Sequence, residues 1–216
     1  VGSAAVDHED EWSDLDLAFG VAAGSDLEET RADWTATLYR DYGAVHHADL
    51  PAGSRLFLLP STLQVDLVFT PADRFAPSGP KFRLVAGEAN AEAGDRTASP
   101  TVDQLAGLAW VFAVQVRSCL GRRRSWQALR MLSEMRDQVM SLACLREGLP
   151  AVHGVAFDLL PGAALERFRA CVPMQPTEPE LRRAFAACIA LFFEELDAVA
   201  PELRRRIKTP VEALAD

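Results

Sequence analysis

The chain has 216 residues, 49% of them hydrophobic and 25% charged, the make-up of ordinary globular protein with length for one large domain or two small ones, so wholesale disorder is excluded. A chain of this size buries roughly 70% of the surface its unfolded form exposes and needs no disulfide or structural metal to hold a core. The balance of 22 basic against 31 acidic residues, net −9, argues against tracking a long nucleic acid through phosphate contacts and suits a small or cationic partner.

The first clear element is residues 14–21, where Leu15, Leu17, Phe19 and Val21 alternate with Asp14, Asp16, Ala18 and Gly20, predicting a strand with one buried face. Ser25-Asp-Leu-Glu28 reads as a capping box opening a helix through Trp34 and Leu38 to a stop at Gly43. A strand is expected around residues 44–50, then a hairpin over 55–69 turning at Pro60-Ser61-Thr62. On its second arm Leu63, Val65, Leu67 and Phe69 share one face, leaving Gln64, Asp66 and Val68 on the other. The stretch 86–100 is small and polar, a linker at a domain boundary near residue 100.

Beyond it the pattern is helical. Thr101 with Gln104 forms a capping box for a helix lasting to Gly121, and a second helix is expected over 124–147, ended by Gly148 and Pro150. A shorter one is expected near 163–171, and Thr177-Glu-Pro-Glu180 starts a third long helix that Pro201 should stop or kink. The longest uncharged apolar run, residues 105–116, is too short for a span of about 20 residues, and no signal peptide opens the sequence, so no membrane partner and a cytoplasmic location are expected. Cys119, Cys144, Cys171 and Cys188 form no Cys-x-x-Cys pair and read as small buried hydrophobes in a reducing compartment. The expected fold class is α+β: a small mixed β-sheet core over 1–100, followed by an antiparallel α-helical bundle over 101–216.

The chemistry resides in a conjunction: Gly2-Ser3, Asp14-Leu-Asp16, and Asp66 between Val65 and Leu67. Each piece alone is weak, since an Asp-x-Asp at alternate strand positions is usually a solvated sheet face. Together they answer the need of phosphoryl or nucleotidyl transfer, in which a nucleoside triphosphate must be neutralised and held for in-line attack. Magnesium is a hard ion that takes carboxylate oxygens and completes its shell with water and substrate phosphates. Asp14 and Asp16 project roughly 6.6 Å apart along one strand face, close enough to share one ion or bridge two. Asp66 supplies a third ligand if its strand lies beside theirs, and could accept the proton of the attacking hydroxyl. Gly2 lets backbone approach a phosphate tail, and Ser3 can donate its hydroxyl to it.

These residues resemble the signature of the polymerase-beta-like nucleotidyltransferase superfamily, over roughly the first 70 to 85 positions. The resemblance implies that Gly2 and Ser3 bind the triphosphate, that Asp14 and Asp16 hold magnesium, and that Asp66 aids metal binding or activates the acceptor. The sequence given starts at Val1, without the helix and strand that precede the Gly-Ser turn in that family. The later helices, including residues 126–137, resemble the helical domains of antibiotic nucleotidyltransferases. The implied reaction is magnesium-dependent transfer of a nucleoside monophosphate, AMP from ATP or its counterpart from another triphosphate, to a hydroxyl of a small acceptor. Aminoglycoside- or lincosamide-like antibiotics are the implied acceptors, and the acidic balance favours a cationic one. A partner protein, as in toxin–antitoxin pairs, is the alternative acceptor, a homodimer is compatible with the sequence, and a catalytically silent nucleotide-binding module is the third reading.

Other candidates have plainer explanations. The acidic run Asp7-His-Glu-Asp-Glu11 could draw in a cation but reads first as a solvated loop. Arg136 and Asp137 could reach a nucleotide or form a structural pair. Arg204-Arg-Arg206 would complement the dipole at the end of the last long helix, and Arg122-Arg-Arg124 carries only a weak case for nucleotide binding. His46 and His47 alternate to opposite faces, and His8 and His153 lack companions, so zinc is not expected. Trp110, Phe112, Phe185, Phe192 and Phe193 fall at helical spacing and are expected in the bundle core.

Overall fold

A computed structural model describes residues 1–7, 10–50, 53–77, 81–90 and 99–215. The chain divides into two compact units, Val1–Ala98 and Ser99–Asp216. It is an α+β protein with a small mixed sheet in the first unit and helices in the second. Residues 91–98 of the expected linker, and His8 and Glu9 of the acidic run, lie outside the described residues.

The first unit holds four strands, β1 (Leu15–Val21), β2 (His46–Asp49), β3 (Ser54–Leu58) and β4 (Gln64–Pro71), in the order β1-β4-β3-β2. β1 runs parallel to β4, and the β2–β3 and β3–β4 pairs are antiparallel. Parallel neighbours need a crossover, and helix α1 (Leu27–Asp41) lies within the connection that joins β1 to the later strands. Val21, Phe57, Val65, Leu67 and Phe69 form one buried cluster with Leu38 of α1 and Ala44, and Leu17, Phe19 and Trp34 pack against it. The Phe19 ring stacks on Phe69 at 5.1 Å and meets Trp34 at 4.7 Å. The period-2 alternation thus commits one sheet face to α1 and leaves Asp16 and Asp66 on the other.

The cap of α1 differs by one residue from expectation. Asp26, not Ser25, is the N-cap, its Oδ1 accepting from the Glu29 amide at 2.9 Å. Both side chains can cap, and the carboxylate also complements the positive end of the helix dipole. Gly43 follows the helix with φ +68, a left-handed value that favours glycine.

The second unit comprises α2 (Val102–Gly121), α3 (Ser125–Arg146), α4 (Gly162–Phe168), α5 (Glu178–Val199) and α6 (Pro201–Glu212). Short connections between long helices produce antiparallel neighbours. Val116, Leu132, Met135, Val139, Phe185 and Phe192 are among the largest fully buried side chains of its core. All four cysteines are free and buried. The expected box closes at the start of α2, where Gln104 N donates to Thr101 Oγ1 and Thr101 N donates to Gln104 Oε1.

The start of α5 after Thr177 and its stop before Pro201 are as expected, while the Arg204-Arg-Arg206 cluster and Trp110 are corrected. Thr177 is the N-cap of α5 but makes no side-chain cap hydrogen bond; Glu180 instead accepts from the Met174 amide and pairs with Arg183. Pro201 ends α5 by opening α6, since proline without an amide hydrogen suits a first helical position. Arg204, Arg205 and Arg206 therefore lie inside α6, where Arg204 pairs with Asp197 and Arg205 with Glu202, rather than at the end of α5. Trp110 is 41% exposed, because the core-facing positions of α2 are Leu105, Ala109, Ala113 and Val116, and residue 110 is turned about 100° from 109. Phe185, Phe192 and Phe193 are buried as expected. No helix among the described residues is long and apolar enough to cross a membrane.

Candidate functional site

The site is built on the sheet face that α1 does not cover. Parallel pairing sets Asp16 directly opposite Asp66, on strands spaced about 4.8 Å apart with side chains on the same face. β4 can take this place because its antiparallel partner β3 occupies its other edge, with Leu56 opposite Asp66. Asp66 Oδ1 is buried and has no hydrogen-bond partner among the described residues. Asp14 precedes β1 and is exposed, its Oδ2 accepting a long hydrogen bond from Gln64 Nε2 at 3.4 Å.

The electrostatics follow from that crowding. Burial first, and then the Asp14 carboxylate, push the Asp16 carboxyl above its ordinary 3.8. Asp66 is raised by burial and then by Asp16, with a smaller push from Asp14. The Ser54 hydroxyl opposes the rise without closing a hydrogen bond onto Oδ1. Negative charge concentrated beside an unpartnered buried oxygen calls for a proton or a cation.

The opening residues press on the same spot. The Val1 nitrogen donates to the Asp16 carbonyl at 3.0 Å. Gly2 has φ +79, and a Cβ there would lie 2.2 Å from Asp16 Oδ2. Only glycine satisfies both the left-handed backbone and the close approach. Ser3 begins a single 3-10 turn, Ser3–Val6.

A cavity of about 720 Å³ opens here, lined by Gly2, Asp14 and Asp16 on one side and by the β3–β4 hairpin tip on the other. Its size suits a small-molecule ligand. The sequence reading did not single out Trp12, Gln64 or Lys81, all on its wall. Lys81 is the one cationic side chain lining it among the described residues. Hydrophobic periodicity cannot flag such residues, because they belong to loops and a strand start; the local signal for Trp12 is the Asp10-x-x-Ser13 turn around it.

The structure therefore brings Gly2 against Asp16 and sets Asp16 opposite Asp66, with Asp14 and Asp16, but not Asp66, among the residues that line the cavity. Among the described residues, no group of three or more His, Cys, Asp or Glu side chains is arranged to hold a metal ion. The facing pair of hard carboxylates, one with an orphaned oxygen, still fits magnesium, which needs only one or two protein carboxylates. His47 Nδ1 is 2.9 Å from the Tyr39 hydroxyl, on the α1 side of the sheet. Arg136 donates to the adjacent Asp137 at 2.9 Å in α3, so these two satisfy each other.

No protein-family model matches the chain, and no curated protein matches it. Among solved structures, it is similar to the crystal structure of an aminoglycoside 6-adenyltransferase from Bacillus subtilis, with 16% identity and a TM-score of 0.45 over 93% of this chain and 88% of that one.

Proposed function

We propose that the chain is a magnesium-dependent nucleotidyltransferase, moving AMP from ATP, or the equivalent group from another nucleoside triphosphate, onto a hydroxyl of a small acceptor of aminoglycoside or lincosamide type. The observation that carries this reading is the opposition of Asp16 and Asp66 across parallel strands, with the buried Oδ1 of Asp66 unpartnered. It adds geometry to the resemblance of Gly2-Ser3, Asp14-Leu-Asp16 and Val65-Asp66-Leu67 to the superfamily signature.

In this reading Asp16 and Asp66 hold the metal, and Asp14 completes the set by giving up its contact with Gln64 Nε2. Bound magnesium supplies charge neutralisation for the triphosphate and acidifies a nearby hydroxyl. Gly2 exposes backbone for the phosphate tail beside Asp16, and Ser3 is the proposed hydroxyl donor to it. The acceptor oxygen forms a bond to the α-phosphorus as the bond from that phosphorus to the pyrophosphate oxygen breaks. The hydroxyl proton passes to the Asp66 carboxylate, and pyrophosphate leaves. Glu11 and Asp14 on the cavity wall favour a cationic acceptor.

The test is incubation of the protein with magnesium, labelled ATP, a panel of aminoglycosides and lincosamides, and cell lysate. A nucleotide adduct on an antibiotic, absent with Asp16→Asn and Asp66→Asn, is the expected result. Label on a protein band would move the acceptor to a partner protein. No transfer to any acceptor, with ATP binding unchanged in both variants, would end the proposal.

A further inference from the structure

Trp12 is 85% exposed, yet the turn that carries it is firmly built. The Asp10 amide donates to Ser13 Oγ, and the Trp12 amide donates to Asp10 Oδ1, each at 3.0 Å. Ser13 Oγ donates to Asp10 Oδ1, and the Ser13 amide donates to the Asp10 carbonyl at 3.1 Å. An indole is the largest apolar side chain, and water is its least favourable surroundings. Here a closed hydrogen-bond turn fixes one in the wall of the cavity that also contains Gly2 and Asp16.

We propose that Trp12 is the stacking platform for the nucleobase of the triphosphate; this deepens the nucleotidyltransferase reading and rests on it. Trp12 and Asp16 are four positions apart, a reach of at most about 14 Å, the order of length of a nucleoside with its phosphates. Charge decides which end of the nucleotide lies where. Glu11, next to Trp12 on the cavity wall, repels phosphate. The polyanionic tail is accommodated at the carboxylates proposed to hold magnesium, with Gly2 backbone beside Asp16, which leaves the uncharged base for the indole. Stacking requires only a π-face, so the platform accepts any base, and base preference must come from other contacts.

The experiment is calorimetric titration of the wild-type chain, Trp12→Ala and Trp12→Phe with ATP and, separately, with inorganic tripolyphosphate, all in magnesium. Because the side chain is exposed, the variants should keep the circular dichroism and melting temperature of the parent. Trp12→Ala is expected to weaken ATP binding by about tenfold or more, Trp12→Phe to retain most of the affinity, and tripolyphosphate to bind all three alike. Equal ATP affinity in the wild type and Trp12→Ala, with tripolyphosphate still bound, overturns the platform and leaves the transferase reading standing. Loss of tripolyphosphate together with ATP in Trp12→Ala also overturns it, because the residue then shapes the phosphate site instead. If the wild type binds neither ligand, the nucleotidyltransferase reading itself falls.

Discussion

Asp16 on β1 and Asp66 on β4 face each other in parallel register, and the Asp16 carboxylate raises the cost of ionising Asp66 on the crowded sheet face on which both stand. Both carboxyls hold their protons more tightly in the folded chain than at the ordinary 3.8. The folded state thus binds more protons than the unfolded one. The contribution of these groups to stability is fully present below 3.8 and is lost as pH rises through their raised folded values. Asp66→Asn should accordingly be more stable than the parent at neutral pH in the presence of a chelator, with the gap closing as pH falls towards about 4. Urea unfolding at the two pH values checks this, and a gap that stays constant with pH would contradict it.

Magnesium should reverse that penalty. An ion bound to the folded state alone stabilises by about 2.7 kcal/mol at a hundredfold excess over its dissociation constant. The melting temperature of the parent should therefore rise with added magnesium, while Asp66→Asn, lacking one of the two facing carboxylates, should respond weakly or not at all. Thermal unfolding across a magnesium series, with calcium as a control for cation size, reads the difference.

Gly2→Ala tests the contact between the opening turn and Asp16. The new Cβ would lie 2.2 Å from Asp16 Oδ2 at a backbone φ of +79, so the turn or the carboxylate must move. A displacement of about 1 Å at a reacting centre costs on the order of 100-fold in rate, and nucleotidyl transfer by Gly2→Ala should fall by about that much. Transfer at the parental rate would show that the approach of Gly2 to Asp16 has no part in the chemistry.

What could be read from the sequence was local. The box between Thr101 and Gln104, the stop at Gly43 and the alternation of β4 each depend on residues within a few positions of one another, and all stand in the structure, whereas in β1 Val21 is buried, Leu17 and Phe19 are half-buried and Leu15 is exposed. The one-residue shift from Ser25 to Asp26, and the role of Pro201 as the start of α6, show where local rules admit two outcomes. The opposition of Asp16 and Asp66 is of another kind, because it depends on which strand β1 chooses as a neighbour. Alternation placed both carboxylates on a polar face, but only the order β1-β4-β3-β2 makes them adjacent. Trp12 escaped notice because one aromatic residue in a polar loop carries no periodic signal; its significance comes from the turn that fixes it and the cavity it borders.

The helical unit offers a test independent of the site. Glu195 on α5 is nearly buried, its side chain 8% exposed, and accepts from Arg146 on α3 through Nε at 2.7 Å and Nη2 at 3.2 Å. Its charge also helps to hold the neighbouring Cys144 thiol above the ordinary thiol value, after burial itself. Removing Glu195 leaves the Nε and Nη2 donors of Arg146 without their acceptor while Nη1 keeps its pair with Glu147, and hydrogen bonds to charged groups are worth about 1.5–3 kcal/mol. Glu195→Ala should therefore lower the stability of the helical unit by about 2–3 kcal/mol. Because the guanidinium left behind causes much of that loss, the double variant Glu195→Leu with Arg146→Met should recover part of it. Urea unfolding of the parent, the single variant and the double variant measures both effects. A double variant no more stable than Glu195→Ala would mean that the pair contributes through its own attraction rather than by sparing Arg146 donors left without an acceptor.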